Sequence, residues 1–188
     1  AHQVRLSNGP AIQALLAQHG YPDCEHDHLL DERAALTARI AAHLDEADVV
    51  ILTGGVSMGK ADFVPEVLAE LGVKKHFHRV SQRPGKPMWF GSGPDGQAVF
   101  ALPGNPVSAL VCCRHYVIPA LARASGRTTA TPEFAALAAD VTFKPELTCF
   151  QPVRLISNAV GQVLAMPIKT NTSVYFTSRS LSDGYVLL

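Results

Sequence analysis

Residues 53–63 read TGGVSMGKADF and follow four consecutive apolar residues, Val49 to Leu52. An apolar run opened by Asp48 is the pattern of a central strand buried on both faces of an α/β sheet. The chain then leaves that strand through three glycines, two hydroxyls, a lysine and an aspartate. A connection that only reversed direction would be shorter and plainer. Glycines permit positive φ and close backbone approach, and free N–H groups ahead of the next helix favour an anion. Thr53 and Ser57 can donate hydrogen bonds, Lys60 adds charge, and Asp62 can hold a divalent cation beside phosphates. The spacing is neither GxxxxGK[ST] nor GxGxxG. A plain N-cap at Asp62 after a glycine-rich turn suits the same residues.

The flanking sequence supplies the layers of such a domain. Ser7 or Asn8 caps a helix with Pro10 in its first turn, and Gly20 ends it. A short polar strand is expected at 23–29, then a helix capped by Asp31 with Leu36, Ile40 and Leu44 in one stripe. Beyond the glycine loop, Val64, Val67, Leu68 and Leu71 keep helical spacing. KKHFHRVSQR (74–83) reads as one strand. MWFGSG and AVFALPG around the turn PDGQ read as a hairpin. Residues 105–125 form a long helix with Pro106 at its first position, and Pro119 is expected to kink it or mark its last turns. After SGRTTATPEF the pattern becomes β-like, with CFQPVRLIS and QVLAMPI as a hairpin and GYVLL at the end. The expected organisation is a three-layer α/β/α domain over 1–126, its sheet mostly parallel and its first strand missing, and a small β domain over 127–188.

Composition excludes several functions. Of 188 residues, 16 are basic and 16 acidic, so no overall charge draws the protein to nucleic acid or to a membrane surface. An anion site must therefore be local. The four cysteines show no CxxC spacing and suit reduced, buried thiols in the cytoplasm. The chain begins at Ala1 rather than methionine, which suggests a fragment.

Two further loops carry chemistry. In ALPGNPVSAL, Asn105 caps a helix, Pro106 sets its first turn, and Ser108 sits among the free N–H groups of that turn. In HRVSQRPGKPMWFG, Arg79, Arg83 and Lys86 place three cations on a turn stiffened by Pro84 and Pro87. Cations on a rigid loop beside two anion-shaped loops point to oxyanion binding. The pairs His26/His28 and His76/His78 suit half-exposed strand faces, with metal binding the alternative. Cys112 and Cys113 suit buried helix positions rather than nucleophiles.

TGGVSMGKADFV, RPGKP and LPGNPVS, in this order and at these separations, resemble the molybdopterin molybdenumtransferase family (MoeA, and the E domain of gephyrin). The likeness is strong over residues 7–126 and weaker, though in register, to the end. It implies the three-layer domain shared by molybdenum-cofactor proteins and the family's small C-terminal β domain. The family's N-terminal domains and its TGDE-like strand have no counterpart here. The implied activity is insertion of molybdenum from molybdate into adenylylated molybdopterin with release of AMP, assisted by Mg2+ or another divalent cation, in a cytoplasmic homodimer. By matched position Asp62 would serve the cation and the nucleotide phosphates and act in catalysis with Arg83 and Ser108. Gly54, Gly55 and Ser57 would form the nucleotide-side loop. Arg79, Pro84, Gly85, Lys86, Pro103, Gly104, Asn105 and Ser173 would bind the remaining substrate.

The chain departs from the family pattern in three places. Arginines stand at 79 and 83 where lysines are usual, and a planar fork does not replace a point charge freely. Pro152 stands where an arginine is common, with Arg154 nearby, and TNTS (170–173) replaces a TGxQxS-like stretch. Two alternatives stand beside it: a sister enzyme with the same α/β domain, an adenylyltransferase or a pyrophosphatase of the competence-damage family, whose loop after the central strand would read differently, and, in another class, a non-catalytic molybdopterin-binding or scaffold module.

Overall fold

The computed structural model describes residues 6–29, 32–56, 63–128, 133–168 and 182–188. Helices α1 (Asn8–Gln18) and α2 (Arg33–Glu46) precede β1 (Val49–Thr53), and α3 (Val64–Glu70) leads to β2 (Lys74–His78). Then come β3 (Gln82–Arg83), β4 (Trp89–Ser92) and β5 (Ala98–Leu102). A long helix follows in three parts: α4 (Pro106–Cys112), a π-helical turn (Cys113–Val117) and α5 (Ile118–Ala124). The remaining strands are β6 (Ala136–Leu137), β7 (Thr148–Ser157), β8 (Val163–Pro167) and β9 (Gly184–Leu187).

Alternation along the strands builds the layers. In the sheet ordered β1-β5-β4-β2, Val50, Val99, Ala101 and Trp89 face one side and pack with Leu36, Ile40 and Leu44 of α2 and Val64, Val67 and Leu68 of α3. Val49, Ile51, Phe90, Phe100 and Leu102 face the other side, against Ile12 and Leu16 of α1 and Ala109, Cys112, Val117 and Ile118 of the long helix. Period-two side chains thus feed two helical layers, as the apolar run at 49–52 requires. Each fully buried aliphatic side chain contributes about 1.5–3 kcal/mol. The sheet is mixed in direction. β1 and β5 are parallel, while β4 pairs antiparallel with both β5 and β2.

Several expectations change in detail. Residues 23–29 form no strand. They run as a strap beside β1, fixed where the Gln13 side chain donates to the Cys24 carbonyl (2.7 Å) and where Asp27 accepts from Arg39 (2.6 and 2.8 Å). Ser7 stands at the N-cap of α1 without a side-chain bond, and the Asp31 cap of α2 lies outside the described residues. The ten-residue strand expected at 74–83 breaks at Arg79, whose φ is +72°. A left-handed conformation costs a non-glycine residue about 1–2 kcal/mol. Here it is held by bonds from Arg79 N–H to the Met88 carbonyl (2.7 Å) and from Val80 N–H to Lys86 (3.0 Å). Past the break the chain leaves the first sheet, and Gln82 and Arg83 pair in parallel with Thr148 and Cys149 of β7.

β7 is the spine of the second sheet, pairing with β3, β8 and β9, while β6 joins through β8. Phe150 of β7 is buried and meets His115 of the π turn and Tyr185 of β9 edge to face. Pro119 explains the π turn. Proline has no N–H and its ring crowds the carbonyl four residues back, so the helix widens just before it. The widened turn is closed by Ile118 N–H bonding the Cys113 carbonyl.

Ile40 is fully buried at the centre of the α2 stripe. Ile40→Ala is expected to lower unfolding free energy by about 2–5 kcal/mol, read from the denaturant midpoint. A loss under about 0.5 kcal/mol, the range of surface substitutions, would mean that α2 is not part of the cooperative core.

Candidate functional site

Parallel pairing of β1 and β5 sends both chains out at the same end of the sheet. The Gly54 N–H donates to the Leu102 carbonyl (3.1 Å), which joins the two exits. A Cβ on Gly104 would lie 3.4 Å from the Gly54 Cα, so the loops touch backbone to backbone. Gly54 and Gly55 have φ of +88° and +67°, and the sharp exit from β1 uses both.

Two clefts meet at this contact. The first, about 500 Å³, is lined by the loop from Gln82 to Pro87, by Pro103, Gly104, Asn105 and Ser108, and by Pro145 and Leu147 from the second sheet's approach. The second, about 510 Å³, holds Thr53, Gly54 and Gly55 together with Asn8, the 24–29 strap and Phe63. Gly104 borders both. Arg83, Pro84, Gly85, Lys86, Pro103, Gly104, Asn105 and Ser108, separated in sequence, thus line one concavity, and Gly54 and Gly55 line its neighbour. Arg79 is exposed and lines neither. Ser57, Asp62 and Ser173 lie outside the described residues.

The first cleft holds two cations, Arg83 and Lys86, and, among the described residues, no carboxylate. Among the described residues neither cation has an ion-pair partner. A concave wall of one charge sign focuses the field on whatever enters. Ser108 is 6% exposed, and its hydroxyl lies 3.4 Å from Asn105 Oδ1. That same oxygen accepts from Val107 N–H (3.1 Å) and Ser108 N–H (3.2 Å), so the helix start is capped internally. The expectation of free amides around Ser108 is corrected accordingly. Charge for an anion here comes from side chains, with those two amides already occupied.

Sequence reasoning missed two supports. Gln82 is a buried polar residue, and Tyr116 and Cys112 reach it from the long helix. Asn8 donates to the Gly104 carbonyl (3.0 Å) instead of capping α1. A polar residue expected on a strand and one expected at a helix cap gave no signal of either role. The histidines serve local contacts. His76 bonds Ser92 (3.0 Å) and stacks on Phe90, and His78 reaches the Val56 carbonyl (3.3 Å).

Residues 1–123 match the family model described as "Probable molybdopterin binding domain". The chain belongs to that family. A molybdopterin molybdenumtransferase of Synechocystis is 37% identical over all 188 residues, which cover 46% of that protein. The molybdenum cofactor synthesis protein cinnamon of Drosophila melanogaster is 42% identical over 121 residues, 64% of this chain and 20% of that one. The crystal structure of a molybdopterin biosynthesis MoeA protein from Pyrococcus horikoshii superposes with a TM-score of 0.72 at 28% identity, covering all of this chain and 46% of that one. The chain therefore spans about half the length of the first relative. With these names it falls within molybdenum cofactor biosynthesis. No helix among the described residues is long and apolar enough to cross a membrane.

Cys112 and Cys113 behave as packing residues. Cys112 and Cys113 are fully buried, and burial pushes both thiols up to about 12. At pH 8 a thiol with such a value is ionised in roughly one molecule in ten thousand, and the thiolate is the reactive form. Iodoacetamide at pH 8 is expected to label the half-exposed Cys24 first and Cys112 and Cys113 only after unfolding. Peptide masses over a time course would show this. Early native labelling of Cys112 would mean that the long helix is not sealed against the 82–88 loop.

Proposed function

We propose that this chain carries the molybdenum-insertion site of a molybdopterin molybdenumtransferase. In that reading the cleft of Arg83, Lys86 and Ser108 takes molybdate, and the Gly54–Gly55 side takes the nucleotide end of adenylylated molybdopterin. Insertion of molybdenum is coupled to cleavage of the phosphoanhydride and release of AMP. The observation that carries the reading is the joining of RPGKP and LPGNPVS into one wall with two cations and, among the described residues, no carboxylate. That wall meets the glycine exit of β1 at Gly104. A tetrahedral dianion needs fixed positive charge, and an anhydride beside it needs close backbone approach, which the glycines allow.

Arg83 supplies a planar fork that can give an oxyanion two parallel hydrogen bonds. Lys86 adds a point charge across the same turn, and Ser108 offers a hydroxyl at the floor. Arg83 remains protonated near neutral pH, so its role is to bind and orient, not to move a proton. Asp62 is our proposed holder of Mg2+ or another divalent cation, with Ser57 beside the nucleotide and Ser173 on the substrate side. A homodimer working in the cytoplasm, with the partner subunit completing the site, belongs to the same proposal.

The test is AMP release by the full-length protein, titrated with molybdate at fixed adenylylated molybdopterin. Arg83→Ala is expected to cost about 1.5–3 kcal/mol, roughly ten- to a hundredfold in apparent molybdate affinity, and to spare nucleotide binding. Arg83→Lys is expected to keep most activity, and Arg79→Ala to leave the molybdate curve in place. Superimposable molybdate curves for the parent and Arg83→Ala would remove this arginine from the oxyanion site.

A further inference from the structure

The loop carrying Arg83 and Lys86 is fastened from beneath by groups that the proposed chemistry does not use. Gln82 is 4% exposed, and its side-chain nitrogen donates to the Pro84 carbonyl (2.9 Å) and towards Cys112 Sγ (3.6 Å). Because that nitrogen must face a carbonyl, the amide oxygen faces Tyr116, and the phenol donates to it. Burial raises the Tyr116 phenol and the Cys112 thiol, so both stay protonated as donors. The thiol lies 3.8 Å from the Gly85 carbonyl. Gly85 has φ of +100°, and a Cβ there would fall 2.5 Å from Cys112 Sγ and 2.6 Å from Gln82 Nε2. The turn is seated directly on these two side chains.

An apolar residue at position 82 would fill this interior without desolvating an amide, which costs free energy unless every group is paired. What the amide adds is position. It fixes the Pro84 carbonyl from one side, while the backbone of Gln82 and Arg83 is fixed by Thr148 and Cys149 from the other. We propose that Gln82, oriented by Tyr116 and Cys112, is the positioning residue of the cation turn. It sets where Arg83 and Lys86 stand relative to Ser108, and through them the oxyanion affinity of the cleft. This inference rests on the cleft being the molybdate site, as proposed above.

The experiment uses the full-length protein with Gln82→Met, Tyr116→Phe and the double variant. Two quantities are read: the molybdate and nucleotide dependence of AMP release, and amide hydrogen exchange of the peptide spanning 83–88. Gln82→Met keeps the volume and removes the side-chain bonds to Pro84, Cys112 and Tyr116, so half-saturating molybdate is expected to rise about tenfold, the scale of a lost polar contact to the turn. The loss should fall in the molybdate KM rather than in kcat, with the nucleotide KM unmoved. Tyr116→Phe is expected to give a rise of about threefold, and the double variant no more than Gln82→Met alone, because both act through one amide. Exchange at 83–88 should quicken in both single variants. Unchanged exchange and an unchanged molybdate curve in Gln82→Met would overturn the proposal. So would equal losses for both substrates, or full additivity of the two changes. A parent protein indifferent to molybdate would overturn the function proposed for the cleft instead, and the exchange rates would then judge the positioning role by themselves.

Discussion

The rest of the molecule depends on two strands running in the same direction. Val49–Thr53 and Ala98–Leu102 pair residue for residue in parallel, so the chain leaves both at one end of the sheet. An antiparallel pair would have sent the two exits to opposite ends. Everything that lines the two clefts hangs on this: the glycines after Thr53, the Pro-Gly-Asn-Pro turn after Leu102, and the long helix begun by Pro106. Both faces of the pair must be covered by helices, and that demand accounts for the apolar character of the strands. The β4–β5 hairpin then carries the 82–88 turn back over the same end of the sheet.

Elements whose signal is local were legible in the sequence. The stripe at Leu36, Ile40 and Leu44, the run at 49–52, the hairpin around PDGQ and the Asn105–Pro106 helix start all fall where spacing and capping chemistry put them. Features that depend on distant partners were not legible. The break at Arg79 has no local cause, since arginine does not favour positive φ, and its holding bonds come from Lys86 and Met88. The strap at 23–29 has a polar alternation that reads as a strand, yet its polar groups are spent on α1 and α2.

The candidate site was legible at the level of motifs and not of geometry. RPGKP and LPGNPVS announced themselves by charge and rigidity, and the structure sets them against each other. The Asn105 cap was legible from its place before Pro106, and by accepting from Val107 and Ser108 it uses two of the amides that an anion at Ser108 would have needed. Spacing could not show that Arg79, in the same basic run as Arg83, would be exposed and line neither cleft. A charge run records composition, whereas a site needs placement, and the run here is divided by one left-handed residue, Arg79.

The pairing of β3 with β7 spans only two residues on each side, yet it is where the second sheet takes hold of the cation turn. Pro145 and Leu147, just ahead of β7, line the cleft opposite Ser108. A ligand seated there would touch both halves of the chain at once and act as a third rung in a very short ladder. By mass action, anything that binds this folded arrangement and not the separated halves shifts the equilibrium towards their union. A ligand of this kind would tie the melting of the second sheet more closely to that of the first. The small β portion is in this sense a thermodynamic gauge of the cleft, reporting occupancy through its own resistance to unfolding.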